Sequence, residues 1–316
     1  MIDTLLSVLV GALVRILQAL PLSLVARIGR AGGALGYLLD ARHRRVARLN
    51  LALSLGQERS PAEILALARE NFRRLGENYC SAIKTAAMPW EELSAHVEFV
   101  GGERAIPSGT TLPPRSVVVA IGHFGNFELY ARFSRVMPRF RCGTTYRGLR
   151  QPSLDRLLQH LREGSGDCDY FERRTEAGAL KAWMQPTGRI LGLLADQHAG
   201  TGGVRIPFFG RECSTTASPA VFALRYDCAL HSGICYRIGL ARWRIELGEQ
   251  IPTHQNGKPR EIEAITRDVN AALEAAVRRD PANWFWVHNR WKPDKPRRAP
   301  ARRPAPVAPA TGSTET

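Results

Sequence analysis

Apolar residues crowd the start of the chain at helical spacing. Residues 4–26 read TLLSVLVGALVRILQALPLSLVA. Thr4, Ser7, Gly11, Arg15 and Gln18 fall at steps of three and four and form a narrow polar stripe. Leu5, Leu6, Leu9, Leu13, Ile16, Leu17 and Leu20 fill the rest of the circumference. This pattern predicts a helix lying in a membrane interface. A buried core helix, or a tilted span that tolerates Arg15, are the alternatives. Arg27, Arg30, Arg42, Arg44, Arg45 and Arg48 follow, opposed by Asp40. Basic residues beside an apolar segment are drawn to anionic headgroups, although a solvated helix face accounts equally well for residues 42–48. Ser60-Pro61-Ala62-Glu63 has the form of a capping box. The helix it opens carries Ile64, Leu65, Ala68, Phe72 and Leu75 on one side. Residues 1–90 therefore read as helical and membrane-associating.

Beyond residue 90 the period changes. Short apolar runs rich in β-branched residues alternate with helical stretches. Strands are expected at residues 116–121, 139–146, 190–195, 229–238 and 243–251, and helices at 152–163 and 260–279. Strands separated by helices indicate an α/β fold, a largely parallel central sheet flanked by helices, over residues 91–292. Residues 293–316 are mostly Pro, Ala, Arg and Lys, a composition that cannot bury a core and predicts a disordered basic tail.

Charge changes the picture next. The 316 residues hold 44 Lys and Arg against 29 Asp and Glu, a formal charge of +15. Such an excess implies an anionic partner, a nucleic acid or an anionic membrane surface. No recognition-helix pattern, RNP-like strand or zinc spacing appears, so specific nucleic-acid binding is not expected. The six cysteines form no C-x-x-C pair and no disulfide framework, which favours a reduced, cytosol-facing location. Asp3 and the lack of a small-x-small cleavage site speak against a signal peptide.

The chemistry gathers behind the first buried strand, where residues 122–128 read GHFGNFE. His123 leaves the strand directly and Glu128 follows five residues later. In one continuous helix a spacing of five would splay the two side chains apart. With His123 in a loop and Glu128 in the first helical turn they can meet, and Gly122 and Gly125 permit such a bend. Glu128 would then fix the tautomer of His123, giving a base and its orienter with no Ser or Cys nucleophile beside them. Such a dyad activates a hydroxyl belonging to the substrate. Asn126 reads as a substrate contact or a helix cap. Arg147, just past a strand end, reads as an oxyanion or phosphate contact or as an ion-pair residue. Asp196 and Gln197 follow another buried strand, where open α/β sheets place their sites. Asp196 would orient Arg147 or cap a turn. Asp196 and His198 lack a third close ligand, so no metal is expected. His288, among tryptophans, reads as a packed, hydrogen-bonded histidine. Residues 207–210 read as a turn or as the lining of a substrate tunnel.

GHFGNFE resembles the H-x4-D/E motif of the bacterial late lipid A acyltransferases and the related phosphatidylinositol mannoside acyltransferase. Tyr146-Arg147 with PSLD at 152–155 is similar to the family's second block. LLADQ at 193–197, with Gly202-Gly203 and PFFG at 207–210, is similar to its third, and WFWVHNRWK at 284–292 to its last. The resemblance implies an enzyme on the cytoplasmic face of the inner membrane. It would move a fatty acyl chain from acyl carrier protein or coenzyme A to a hydroxyl of an anionic lipid acceptor, without cofactor or metal. A lipid A precursor is the first choice of acceptor, with a phosphatidylinositol mannoside or a lysophospholipid as alternatives. His123 would take the hydroxyl proton, Glu128 would hold His123, and Asn126, Arg147, Asp196 and Gln197 would contact substrate.

Overall fold

A computed structural model of the chain describes residues 2–106, 114–149, 151–163 and 168–293, with side chains from residue 8 onward. The expected basic tail from residue 294 and the polar positions Thr4 and Ser7 of the first helix lie outside what is described.

Helices α1 (Ile2–Ala19), α2 (Leu22–Leu39), α3 (Ala41–Leu55) and α4 (Pro61–Ala86) come first. Pro21 ends α1 because its ring and missing N–H cannot continue a helix interior. The capping box is present: Glu63 N donates to Ser60 Oγ, and Ser60 N donates to the Glu63 carboxylate at 2.8 Å. Gly29 and Gly33 of α2 face Gly76 of α4 so closely that a Cβ at any of them would strike the opposite backbone. Glu77, fully buried, accepts from Arg30 at 3.2 Å, Arg237 at 2.9 Å and Ala241 N at 3.0 Å. α1 lies on α4 through buried Val14 and Leu17. Gln18, expected on the outer polar stripe, instead donates to Ile83 O at 3.3 Å. One side of α1 is thus core, while Val8, Leu9, Leu13 and Ile16 on the other stay exposed beside Arg15. Among the described residues no helix is long and apolar enough to cross a membrane.

The one-turn helix α5 (Trp90–Leu93) leads into a mixed α/β fold. Its elements in chain order are β1 (Val97–Val100), β2 (Val117–Ile121), β3 (Arg141–Tyr146), α6 (Pro152–Glu163), β4 (Asp169–Glu172), α7 (Ala177–Trp183) and β5 (Arg189–Leu194). There follow β6 (Val204–Phe208), β7 (Arg211–Thr215), α8 (Ser218–Arg225), β8 (Ala229–Gly239), β9 (Arg242–Gln250) and α9 (Ile262–Arg279). The central seven-stranded sheet has the order β1-β9-β8-β2-β5-β3-β4. Its pairs are parallel except β8 with β9. β2, VVVAI, is buried at every position, as a central parallel strand covered on both faces must be. One sheet face packs Val119 and Ile121 with Phe133, Trp243 and Ile245. The other packs Val118 and Leu191 with α9 residues, with Leu51 of α3 and Phe72 of α4, and with Trp284 and Trp286.

The expected central strands and helices are present. Sequence pattern missed β1 and β4, whose four residues are too few for a period to register. It also missed the β6–β7 hairpin. Its turn, Phe209-Gly210, holds φ of 53° and 67°, a conformation that favours two-residue hairpins. Phe208 and Phe209 pack in the tryptophan-side core, and of the two expected readings of residues 207–210 the turn is present.

Candidate active site

β2 and β5 are parallel neighbours with Ile121 opposite Leu194. His123 and Asp196 each follow two residues after those partners, so the register sets them side by side at the carboxyl ends of the strands. Asp196 is buried, and every contact it makes there is with a donor. Its Oδ1 accepts from His123 Nδ1 at 2.8 Å. Its Oδ2 accepts from His123 N at 2.7 Å and from Trp284 Nε1 at 2.8 Å. Burial by itself would raise the Asp196 pKa. The facing imidazole and these hydrogen bonds outweigh burial and bring it down to about 2. The group is therefore a carboxylate at neutral pH, and it holds His123 with the proton on Nδ1. Nε2 is then the acceptor, and Gln197 Nε2 donates to it at 3.3 Å. Phe127 and Phe285 flank the ring at centroid distances of 4.9 and 5.6 Å.

The expected His123–Glu128 pairing is corrected here. Gly125, at φ 54°, does bend the loop, and a Cβ there would press on the Cys235 carbonyl. The bend, however, turns Glu128 toward α6, where its two oxygens accept from Arg162 NH2 at 2.6 Å and Nε at 3.1 Å. The following segment, Phe127–Arg135, is 3-10 rather than α-helical. Asn126 opens that segment without capping it. Its amide is buried and donates to Thr85 of α4 at 3.2 Å. Arg147 lies one residue beyond β3 on the same carboxyl edge, exposed, and Asp196 does not contact it. Asp196 is spent on His123, so its expected role as orienter of Arg147 is also corrected. Among the described residues no cluster of three or more His, Cys, Asp or Glu could hold a metal ion.

Trp284, the donor to Asp196, stands in the tryptophan-rich block of the sequence, where spacing alone gives no sign of that contact. Its segment is clamped from the first helices. Asn71 of α4 donates to Ala282 O and Trp284 O at 3.0 and 2.6 Å, and Asn50 of α3 to Trp286 O and His288 O, both at 2.8 Å. Arg290, fully buried, reaches Gln197 O at 3.1 Å and Thr215 Oγ1 at 2.6 Å. His288 accepts from His198 N at 3.1 Å. Burial pushes its pKa down to about 4, so it is a neutral packed histidine.

Two cavities adjoin the dyad. An open cleft of about 440 Å³ is lined by His123, Tyr79, Phe285 and the apolar side of α6, Leu154, Leu157 and Leu161. An inner cavity of about 80 Å³ lies on the sheet face under the 3-10 segment, against Val119, Ile121, Thr144, Gly192 and Leu247. Gly192 follows the pleat beside Val119 and Thr144, and its missing side chain leaves part of that space.

The sequence model of a family described as bacterial lipid A biosynthesis acyltransferase matches residues 1–293. The chain belongs to that family. This acyltransferase is also similar to the phosphatidylinositol mannoside acyltransferase of Mycolicibacterium smegmatis (strain ATCC 700084 / mc(2)155). The two are 23% identical over 259 residues, covering 78% of this chain and 79% of the relative. By family it is an O-acyltransferase.

Proposed function

We propose that this protein moves a fatty acyl chain from an acyl thioester to a hydroxyl of a lipid acceptor at a membrane surface. The observation that carries the reading is His123, held by a buried carboxylate through Nδ1 and lining a large apolar cleft. His123 Nε2 takes the proton of the acceptor hydroxyl as that oxygen attacks the thioester carbonyl. The tetrahedral oxyanion collapses, the C–S bond breaks, and the imidazolium returns its proton to the departing thiolate. The products are a lipid ester and a free carrier thiol. Asp196 balances the imidazolium between these steps. The first amides of the 3-10 segment, which have no preceding helical turn to bond, are the natural donors to the oxyanion. The reaction as written calls on no metal and no cofactor.

A lipid A precursor is the acceptor we favour on family membership. The mycobacterial relative supports a phosphatidylinositol mannoside as the second reading. The donor is an acyl group on acyl carrier protein or coenzyme A. The protein would work on the cytoplasmic face of the inner membrane, resting on α1 and α2. Leu9, Leu13 and Ile16 of α1, and Leu35, Leu38 and Leu39 of α2, are large apolar side chains left exposed. Val10 and Val14 of α1 also line the cleft, so a membrane contact there would bring lipid to His123. Lipid mass spectrometry of cells with and without the gene tests the reading. The expected result is a lipid lighter by one acyl chain, restored by the wild-type gene and not by His123→Ala. Identical lipid profiles would refute it.

A further inference from the structure

The open cleft and the inner cavity are neighbours without being one space. Phe127, Glu128, Ala131, Arg162 and Tyr170 line both, so these residues are the wall between them. The polar part of that wall is the Arg162–Glu128 ion pair, with side chains only 16% and 26% exposed. A partly buried ion pair between two apolar spaces is a poor stabiliser, because well-packed apolar residues would serve stability as well or better. Arg162 also has a second kind of seat. Its guanidinium lies 5.8 Å from the Tyr146 ring centroid and 5.7 Å from that of Tyr170. Tyr146 ends β3 beside exposed Arg147.

We propose that the Arg162–Glu128 pair is a removable partition that sets how much of an acyl chain the protein accepts. The proposal rests on the acyl-transfer reading. A short chain fits the open cleft with the pair intact. A longer chain displaces Arg162 and runs on into the inner cavity along Gly192. Separating the pair leaves Glu128 without its counter-charge in an apolar wall, a fixed cost. Each further buried methylene adds a roughly constant gain. A fixed cost against an incremental gain produces a threshold in chain length, where a smooth tunnel would produce none.

The test is calorimetric titration of the full-length protein with a homologous series of saturated acyl coenzyme A thioesters, and in parallel the same acyl groups on acyl carrier protein. Wild-type affinity should rise with chain length, pause, then rise again at roughly fourfold per methylene. The double variant Glu128→Leu/Arg162→Leu, which leaves no orphaned charge, should lose the pause. Arg162→Lys keeps the charge without the bidentate fork and should move the pause to shorter chains. Gly192→Val should remove the second rise and leave short chains unaffected; a Cβ there would lie 3.3 Å from Ile121 Cδ1, a tight but yielding contact. Gly192→Ala serves if the larger residue melts early. A smooth wild-type profile, or a pause that survives the double variant, overturns the partition. If no acyl thioester of any length binds to wild type, the acyl-transfer reading itself has failed.

Discussion

At the residue scale the decisive fact is that Asp196 meets donors and nothing else. Its two oxygens receive the His123 ring, the His123 amide and the Trp284 indole. Asn at this position has one oxygen to offer. If that oxygen keeps the two N–H groups at Oδ2, the new NH₂ faces His123 Nδ1 and drives the ring proton to Nε2, where it blocks base catalysis. Asp196→Asn should therefore lower turnover by roughly 10²–10⁴-fold with the fold retained. Glu128→Gln should cost far less, since Glu128 holds Arg162 and not the imidazole. His123→Ala should lose nearly all activity. Turnover of a labelled acyl thioester, with melts of each variant, ranks the three; a Glu128→Gln loss exceeding that of Asp196→Asn would restore the pairing expected from sequence. Asp196 also makes an acid-stability prediction. Its pKa is lowered on folding from 3.8 to about 2, so its contribution is present above the unfolded value. It is lost as pH falls from about 4 toward about 2, and amounts to about 2 kcal/mol. Urea midpoints at about pH 5 and about pH 2.5 should therefore differ more in wild type than in Asp196→Asn. Equal pH responses would mean that the carboxylate is not held low.

At the element scale, the site is a matter of which strands are neighbours. His123 and Asp196 were each legible as a polar residue at the end of a buried strand. Their pairing was not, because 73 residues separate them in sequence and the order β2-β5 is set by crossovers. Local spacing instead favoured Glu128, five positions away, and the 3-10 geometry of its segment defeated that inference. Trp284 and its clamp were hidden for the same reason: Asn71 and Trp284 are 213 positions apart. The Asn71 clamp can be weighed directly. Asn71→Ala removes two donors from buried carbonyls and should destabilise by about 1–3 kcal/mol. It should also lower turnover, because Trp284 hangs from that segment. A variant that melts and turns over like wild type would show the clamp to be idle.

At the scale of the molecule, the excess of positive charge and the exposed apolar faces of α1 and α2 point the same way. Composition predicts an anionic partner, and the α/β class is legible in the alternation of runs. What composition could not reveal is that α1 serves two surfaces, packing on α4 through Val14 and Leu17 while presenting Leu9, Leu13 and Ile16 outward. Deleting α1 would therefore open the cleft as well as remove the apolar face. The cleaner variant is Leu9→Gln/Leu13→Gln/Ile16→Gln. It should melt near wild type and float poorly with anionic liposomes, and its residual binding should fade with salt. Undiminished flotation would assign membrane contact to another surface.

The clamp between the first helices and the last described segment also bears on timing. Asn50 and Asn71 leave the ribosome early, yet their carbonyl partners lie at residues 282–288. The same late segment supplies the indole that fixes Asp196. A nascent chain can thus lay down its early helices, and even reach a bilayer, long before its histidine is held for work. Contacts this distant in sequence form slowly. Synthesis that halts before Trp284 would leave Asp196 without its indole donor, so that the His123–Asp196 pair is completed only after residue 284 is made.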